Sequence, residues 1–534
     1  MNSYGKCVLI PFDIISSVAI TIQTFALSLR FITRRKIMFE RRSNRIVAAS
    51  VCTAFLLLTY VQGAKMPNSG KKVTECPSDR YVLEPARCIP VVYDADVVVA
   101  GGGISGIFAA LAAAEQGAKT VLIEKFGAVG GSFGPGMNSQ EGALKNHHGE
   151  FHKGAPIESV KGDVTALPKK FADMFFAIHS GRRSRFLGDS NLCSYVALKM
   201  LKDAGVIMML SCYACDPIME GDRVCGVFIE NKSGRQAVRA KVVIDATGEA
   251  DISRRAGAGI LQPKESYHEF DSHSPTGVGL WALIGGVDRA NLDWEKAKEI
   301  SWEQDIDGLA KVNCGGVRDV GPDPHQVAIK AQLVRPHAKV DMGNAKHVSA
   351  LEVGMRMYCF EYVEKARKNV RGCENAYLLF IGPYIGCRGG PCIDGEYTLT
   401  VNDLRAGKKY EDVIYVYGEP RALRWQAEQK VPFKWADVPY RVMIPKGING
   451  LIAVGRSASC IPDTLLRNRE GVMYMGQAGG TAAAMCAERG IEPRKLNIKE
   501  LQEKLLKAGF YLGDNKRLAE LGLKNTTSKG STST

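Results

Sequence analysis

From Gly101 the chain reads Gly-Gly-Gly-Ile-Ser-Gly, which satisfies G-x-G-x-x-G through Gly101, Gly103 and Gly106, and Glu124 stands 23 residues beyond Gly101. Residues of these types at this spacing do binding chemistry. The first glycine permits a tight turn out of a strand. The second lets the backbone approach a pyrophosphate, and the third lets the next helix lie close on its sheet. Ile104 and Ser105 open that helix, where free N–H groups and the helix dipole favour an anion. A carboxylate at Glu124 is placed to accept hydrogen bonds from a ribose diol, and it would repel a 2′-phosphate, which argues against NADP in this slot.

These roles require a strand, a turn and a helix in that order, and the chain supplies them. Val97, Val98 and Val99 form an apolar run of the kind buried on both faces of a parallel sheet. A helix follows with Ile104, Phe108 and Leu111 on one face; Gly117 ends it, and residues 120–123 make the next strand, closing on Glu124. This context makes a weak motif specific.

Three further stretches extend the pattern. Gly130 and Gly131 follow Glu124 closely in E-K-F-G-A-V-G-G-S, with Lys125 a neighbour of the same site. Residues 240–248 read AKVVIDATG, a strand closing on a turn with Thr247 and Gly248, followed by Asp251. Residues 449–484 read as a strand, a glycine turn at Gly455 and Arg456, and a helix starting around Gly476, Gln477 and Ala478.

The extension through Gly130 and Gly131 resembles flavoproteins of the glutathione-reductase type. Together the segments resemble the FAD-dependent oxidoreductase family distantly related to heterodisulfide reductase and to fumarate-reductase-type flavoproteins, over residues 94–492. The resemblance implies an α/β fold: a discontinuous Rossmann-like FAD-binding domain, with a parallel sheet, helices on its faces and a β-meander, and an inserted α+β cap or substrate domain. It implies FAD as cofactor, bound by the glycine-turn residues named above, and a late helix whose N-terminus faces the flavin ring. Lesser marks agree: Asp189 opening a helix, ENKSGR at 230–235 in a hairpin, and GEYTLTVNDLRAG at 395–407.

The catalytic machinery carries over less well. Gly386-Cys387-Arg388 resembles the start of a G-x-R-E-x-R stretch, but Gly389 stands where an acid is usual and Pro391 where a second arginine is usual. Ile461 and Pro462 occupy a region where relatives often carry a histidine, while Arg469 matches the family's late arginine. The catalytic residues are therefore unknown. Arg388 and Arg469 are the best candidates, as a clamp on a carboxylate substrate or a stabiliser of negative charge. His147, His148 and His152 lie in NHHGEFHKG, which reads as a loop, so no metal site is expected there; a covalent flavin–histidine bond is the alternative use.

Composition bounds the rest. The chain has 534 residues, 46% hydrophobic and 24% charged, with 56 glycines, which fits a globular protein of two or three domains and excludes a disordered or collagen-like chain. Of the net charge of +14, residues 1–63 hold +6 (eight Lys/Arg against Asp13 and Glu40), leaving +8 for residues 64–534. With no basic stripe interleaved with aromatics, nucleic acid is not an expected partner. The fifteen cysteines are scattered, with no spacing for an iron–sulfur cluster or zinc; Cys76 and Cys88 would form a small disulfide loop in an oxidising compartment.

Residues 7–29 are apolar apart from Asp13, a basic patch follows, and residues 46–61 form a second apolar run. Read from Met38, the second run has the layout of a signal peptide ending at Val61-Gln62-Gly63; read from Met1, the first is long enough to span a bilayer. The expectation is a secreted or N-terminally membrane-anchored protein, with a mitochondrial presequence as the alternative. The domain expectation is targeting region 1–63, linker 64–93, FAD-binding domain 94–260 and 441–492, cap 261–440, and a C-terminal helix with a disordered tail at 493–534. The expected reaction is hydride exchange between a small organic substrate and flavin N5. The competing readings are an electron-transfer flavoprotein working with an iron–sulfur partner protein, and an inactive flavin-binding relative.

Overall fold

The computed structural model describes residues 80, 82–84, 86–136, 165–179, 190–261, 278–320, 323–334, 340–387, 389–417, 436–461, 465–466 and 469–524. The N-terminal apolar runs, Cys76, His147, His148, His152, Asp189, Arg388, Pro462 and the tail from 525 lie outside the described residues. The chain divides into two units, Met1–Cys88 and Ile89–Thr534. The described residues of the first hold no helix or strand, and all elements below belong to the second. Among the described residues no helix is long and apolar enough to cross a membrane.

The central sheet begins with β1 (Val91–Ala100), helix α1 (Ile104–Glu115) and β2 (Thr120–Glu124). Helices α2 (Ala166–His179) and α3 (Ser190–Asp203) lead to β3 (Ile207–Leu210), β4 (Tyr213–Glu220), β5 (Arg223–Asn231), β6 (Gly234–Asp245) and the short α4 (Asp251–Arg255). The strand order is β3-β2-β1-β6-β5-β4. The strands β3, β2, β1 and β6 are parallel, while β4, β5 and β6 form an antiparallel meander whose last turn is the Asn231–Gly234 hairpin. The chain therefore leaves β1 toward β2 and later returns on its other side as β6, so a crevice opens at the carboxyl ends of β1 and β6.

Burial explains the valine run. Val97 and Val99 pack with α1 in one core, and Val98 and Ala100 pack on the opposite face with Val121, Val243 and Ile252. A strand covered on both faces has no polar side to show, so it reads as a continuous apolar segment.

The second core belongs to the inserted region. After β7 (Ile260–Leu261), β8 (Gly279–Gly285), α5 (Trp294–Glu299), β9 (Gln304–Ile306), β10 (Ala310–Cys314), β11 (Arg318–Asp319), β12 (Val327–Leu333), α6 (Ala345–Asn369) and β13 (Tyr377–Ile381) build an antiparallel sheet of order β13-β8-β12-β10-β9, with β11 on β12. Helix α6 lays Leu351, Met355, Tyr358 and Tyr362 on that sheet, all at most 1% exposed. The Tyr358 hydroxyl accepts from Cys314 N at 2.9 Å and donates to Trp302 O at 3.0 Å, so its polar end is satisfied inside the core.

The chain returns through β14 (Cys392–Ile393), β15 (Leu399–Thr400), α7 (Val401–Ala406), β16 (Val413–Tyr417), β17 (Ala436–Pro439), β18 (Leu451–Ala453) and β19 (Cys460–Ile461). Strand β18 joins the central sheet parallel to β6, and α8 (Arg469–Arg489), α9 (Ile498–Lys507) and α10 (Asn515–Glu520) close the chain. Two details differ from expectation. The second core spans residues 278–385, whereas Leu399, Leu404, Val413, Val438 and Tyr440 join the first core; the described residues of 399–440, expected in the cap, thus pack with the first core. The apolar run at 377–385 reads in the sequence as a strand, but β13 stops at Ile381, and the chain turns so that Gly382 N donates to Trp281 O at 2.9 Å.

Candidate functional site

Three glycine-bearing turns meet beyond the ends of β1, β2 and β6. The chain leaves β1 at Gly101, whose φ of 105° favours glycine and whose Cβ would lie 2.5 Å from Ala246 O, in the Ala-Thr-Gly turn. At Gly106 a Cβ would stand 1.9 Å from Gly101 O, so α1 can rest on its own incoming turn only without a side chain there. Gly103 differs. Its φ of −72° and ψ of −175° suit any residue, and a Cβ there would meet nothing within 4 Å among the described residues. It borders open space at the N-cap of α1, where no side chain caps the helix and no acid sits in the first turn. That is an uncapped set of donors with a cradle beside it, as an anion requires.

The second glycine pair closes on the first. Gly130 N donates to Gly102 O at 2.8 Å, and a Cβ on Gly131 would come 2.9 Å from Gly103 Cα. Glu124, 7% exposed, accepts from Gly102 N at 2.7 Å through Oε2 and from Phe126 N at 2.9 Å through Oε1. Its carboxylate therefore ties the first glycine turn to the chain leaving β2, with lone pairs left for a diol. Burial raises its carboxyl above the ordinary range, opposed by the Phe126 and Gly102 N–H groups. Lys125 is exposed, with its ammonium 5.3 Å from the Phe126 ring, and flanks the site.

The Ala-Thr-Gly turn hangs on Asp245, which is fully buried. Its Oδ1 accepts from Thr247 N at 3.1 Å and Oγ1 at 2.7 Å, and its Oδ2 from Ser253 N at 2.8 Å and Oγ at 2.7 Å. Thr247 Oγ1 in turn accepts from Asp251 N at 2.9 Å. Asp251 is raised by burial and then by Glu249 and Asp245, although Arg254 binds it at 2.7 Å.

The late segment reaches the same place. Gly248 N and Ala250 N both donate to Ser457 Oγ, at 3.2 and 3.1 Å. A Cβ on Gly455 would come 2.4 Å from Ser105 Oγ, and one on Gly248 would come 2.8 Å from Arg456 Nη2. Arg456 pairs with Glu249 and donates to Gly389 O at 3.0 Å, tying the Ala-Thr-Gly turn to the chain that leaves the inserted sheet.

Gly476, Gln477 and Ala478 stand elsewhere than expected. The helix begins at Arg469, so they lie inside α8 rather than at its N-terminus. A Cβ on Gly476 would stand 2.2 Å from Ser105 O, Ala478 is fully buried, and Gln477 Oε1 accepts from Leu167 N at 3.1 Å. They set the crossing of α8 on α1. Arg469 opens α8, and its side chain, like Arg388, is outside the described residues.

Sequence reading did not single out Tyr384. The turn after β13 stacks it on Phe126, with centroids 4.6 Å apart and planes 13° from parallel, and brings its hydroxyl within 3.0 Å of where a Gly136 Cβ would be. Burial raises its phenol well above the ordinary value; the carboxylates of Glu124, Glu249 and Glu352 add to the rise, and Arg456 opposes it. Asp245, Ser457 and the Arg456–Glu249 pair were also missed. Only the acid inside VVIDATG was visible beforehand, as a polar residue closing an apolar strand.

The arrangement offers backbone donors, an open space at Gly103 and a carboxylate at the end of β2, which fit a pyrophosphate-bridged dinucleotide such as FAD. Among the described residues no group of three His, Cys, Asp or Glu is placed to hold a metal ion.

Comparison with known proteins bears on the same region. The chain is 30% identical over 213 residues to a digeranylgeranylglycerophospholipid reductase of Methanoculleus marisnigri, covering 39% of this chain and 50% of that protein. It is 29% identical over 170 residues to a thiamine thiazole synthase of Methanococcus maripaludis, covering 29% of this chain and 57% of that one. The chain thus spans about half the length of the curated relatives it matches. A geranylgeranyl bacteriochlorophyll reductase-like structure from Thermoplasma acidophilum aligns at 15% identity and a TM-score of 0.38, covering 80% of this chain and 99% of that one. The model of FAD dependent oxidoreductases matches residues 96–505, from the middle of β1 into α9 and so through every turn of the crevice. The chain belongs to the FAD-dependent oxidoreductase family, and FAD is its cofactor.

Proposed function

We propose that this enzyme exchanges a hydride equivalent between a small organic substrate and its FAD, with the substrate held under the inserted sheet. The observation that carries the reading is the double grip of Arg456 on Glu249 and on Gly389 O. It fastens the chain leaving the inserted sheet to the dinucleotide site, as a cover over a reacting centre must be fastened. The bound FAD supplies the two-electron chemistry, and the chain supplies binding, orientation and exclusion of water. Gly103 and the first turn of α1 would hold the pyrophosphate and Glu124 the ribose. Tyr384, stacked on Phe126, joins the chain leaving β13 to the chain leaving β2. The reductase names of relatives support reduction of the substrate as the direction.

The test is anaerobic. Purified protein carrying its flavin is offered small acids, sugar acids and polyprenyl compounds, and the oxidised-flavin absorbance is followed. Bleaching by one class identifies a hydride donor. A flavin reduced by dithionite but by no organic donor, and reoxidised by no organic acceptor, would overturn the reading. We further propose passage into the secretory pathway or anchoring at its membrane, supported by the apolar run at 46–61 behind basic residues; a mature N-terminus near residue 64 is the result expected from N-terminal sequencing.

A further inference from the structure

The inserted sheet has two faces, and α6 covers only one. On the other, Trp281 and Ala328 form a small buried cluster with Leu283 and Val320. Trp281 is 7% exposed, yet its indole Nε1 is buried with no hydrogen-bond partner among the described residues. An orphaned buried donor costs about 1–3 kcal/mol, so it marks a place where a partner belongs.

The surroundings say what kind of partner. Lys330 is the residue opposite Trp281 on β12, and its ammonium lies 5.8 Å from the indole centroid. Arg318, opposite Ala328 on β11, holds its guanidinium 5.5 Å from the same ring. The indole N–H, the ammonium and the guanidinium are all donors, and donors gathered around one ring suit an anion. Leu283, Ala328 and Val320 beside it are apolar. The Lys330 stem runs over Gly279, where a Cβ would come 2.4 Å from its Cε, and Gly279 pairs with Gly386, three residues before the Gly389 carbonyl that Arg456 grips. Trp281 and Lys330 therefore stand on the β8–β12 strand pair with Arg318 on β11 beside it, and Gly279 ties that pair to the chain held by Arg456.

We propose that Trp281, Lys330 and Arg318 form the recognition site for the anionic group, a carboxylate or a phosphate, of a substrate whose apolar body lies over Leu283, Ala328 and Val320. The inference rests on the reading of the inserted sheet as the substrate cover. Binding to the full-length, FAD-loaded protein is measured by calorimetry with octanoate, octyl phosphate, octanol and octyltrimethylammonium. At least one anion binds, and octanol and the cation bind at least about tenfold more weakly. Whichever anion binds tighter distinguishes carboxylate from phosphate. Trp281→Phe keeps an aromatic ring and removes the donor together with the five-membered ring; it weakens the anion about tenfold, leaves octanol unchanged and keeps the flavin content of the parent. Arg318→Gln weakens the anion as well. Equal binding of octanol and the anions, no anion binding, or a Trp281→Phe variant with unchanged anion affinity overturns the site. These readouts need no turnover. Anion binding without any flavin reduction sinks the hydride-exchange reading alone, and flavin reduction by neutral donors with no anion binding sinks the site alone.

Discussion

Replacing Gly476 with alanine isolates what its missing side chain does. Helix α8 crosses α1 with Gly476 over Ser105 and Gly480 over Ala109; a Cβ would stand 2.2 Å from Ser105 O in the first case and 2.1 Å from Ala109 O in the second. Contacts of carbon with oxygen below about 3.0 Å are not tolerated in packed interiors, so each substitution must part the helices locally by about 0.8 Å. The blocking atoms belong to the main chain and have no rotamer to yield. Overpacking of this kind costs about 1–3 kcal/mol. Alanine is the better helix former by about 1 kcal/mol, which offsets part of it. The net expectation is a loss of up to about 2 kcal/mol for either Gly476→Ala or Gly480→Ala, read as a lower urea midpoint at constant slope. The two variants separate in cofactor affinity. Ser105 lies in the first turn of α1, beside the open space at Gly103, and Ala109 lies one turn further along. Gly476→Ala therefore weakens FAD about tenfold, while Gly480→Ala changes it less than about threefold, read by recovery of flavin fluorescence on dilution. A Gly476→Ala protein as stable as the parent or more so would refute the packing argument, because helix propensity alone predicts that result. Equal loss of FAD in both variants would refute the assignment of the first turn.

Three other outcomes follow from the same geometry. Gly103→Ala, whose Cβ enters open space at an ordinary φ, leaves stability within about 0.5 kcal/mol but lowers FAD affinity at least about tenfold; the reverse pattern would move the pyrophosphate elsewhere. Arg456→Gln and Glu249→Gln each destabilise by about 1–3 kcal/mol, the pair being about one-fifth exposed, and a double-mutant cycle by urea unfolding shows coupling above about 0.5 kcal/mol. Glu124 and Asp251 both titrate above the ordinary carboxylate value when folded, because burial disfavours their charge. Between the unfolded and the folded values the native state holds more protons than the unfolded one, so stability is greatest below that window and falls as pH rises through it. Glu124→Gln flattens the fall across a pH series of urea titrations, and an unchanged slope would assign it to other groups.

What the sequence disclosed and what it withheld divide along one physical line. Gly101, Gly106 and Glu124 were legible because their constraint is local: a turn, a helix start and a strand end lie within one β-α-β unit, and the spacing records them. The valine run was legible because burial on two faces leaves no alternation. Residues 348–370 read as an amphipathic helix because Leu351, Met355, Tyr358 and Tyr362 fall on one stripe, and α6 buries those four residues on the inserted sheet. The start of α8 was misplaced because its glycines answer to α1 rather than to their own helix. A Gly-Gln-Ala-Gly step looks like a turn until Ser105 and Ala109 are known to lie against it. Tyr384 was hidden for a similar reason. It continues an apolar run that reads as strand, and only the turn at Gly382 carries it onto Phe126, more than 250 residues away in the chain. The 399–440 segment falls in the cap by its position in the chain, yet Leu399, Leu404, Val413, Val438 and Tyr440 join the core that holds α1 and α8. In each case the deciding partner is remote, and the local pattern fits two environments equally well.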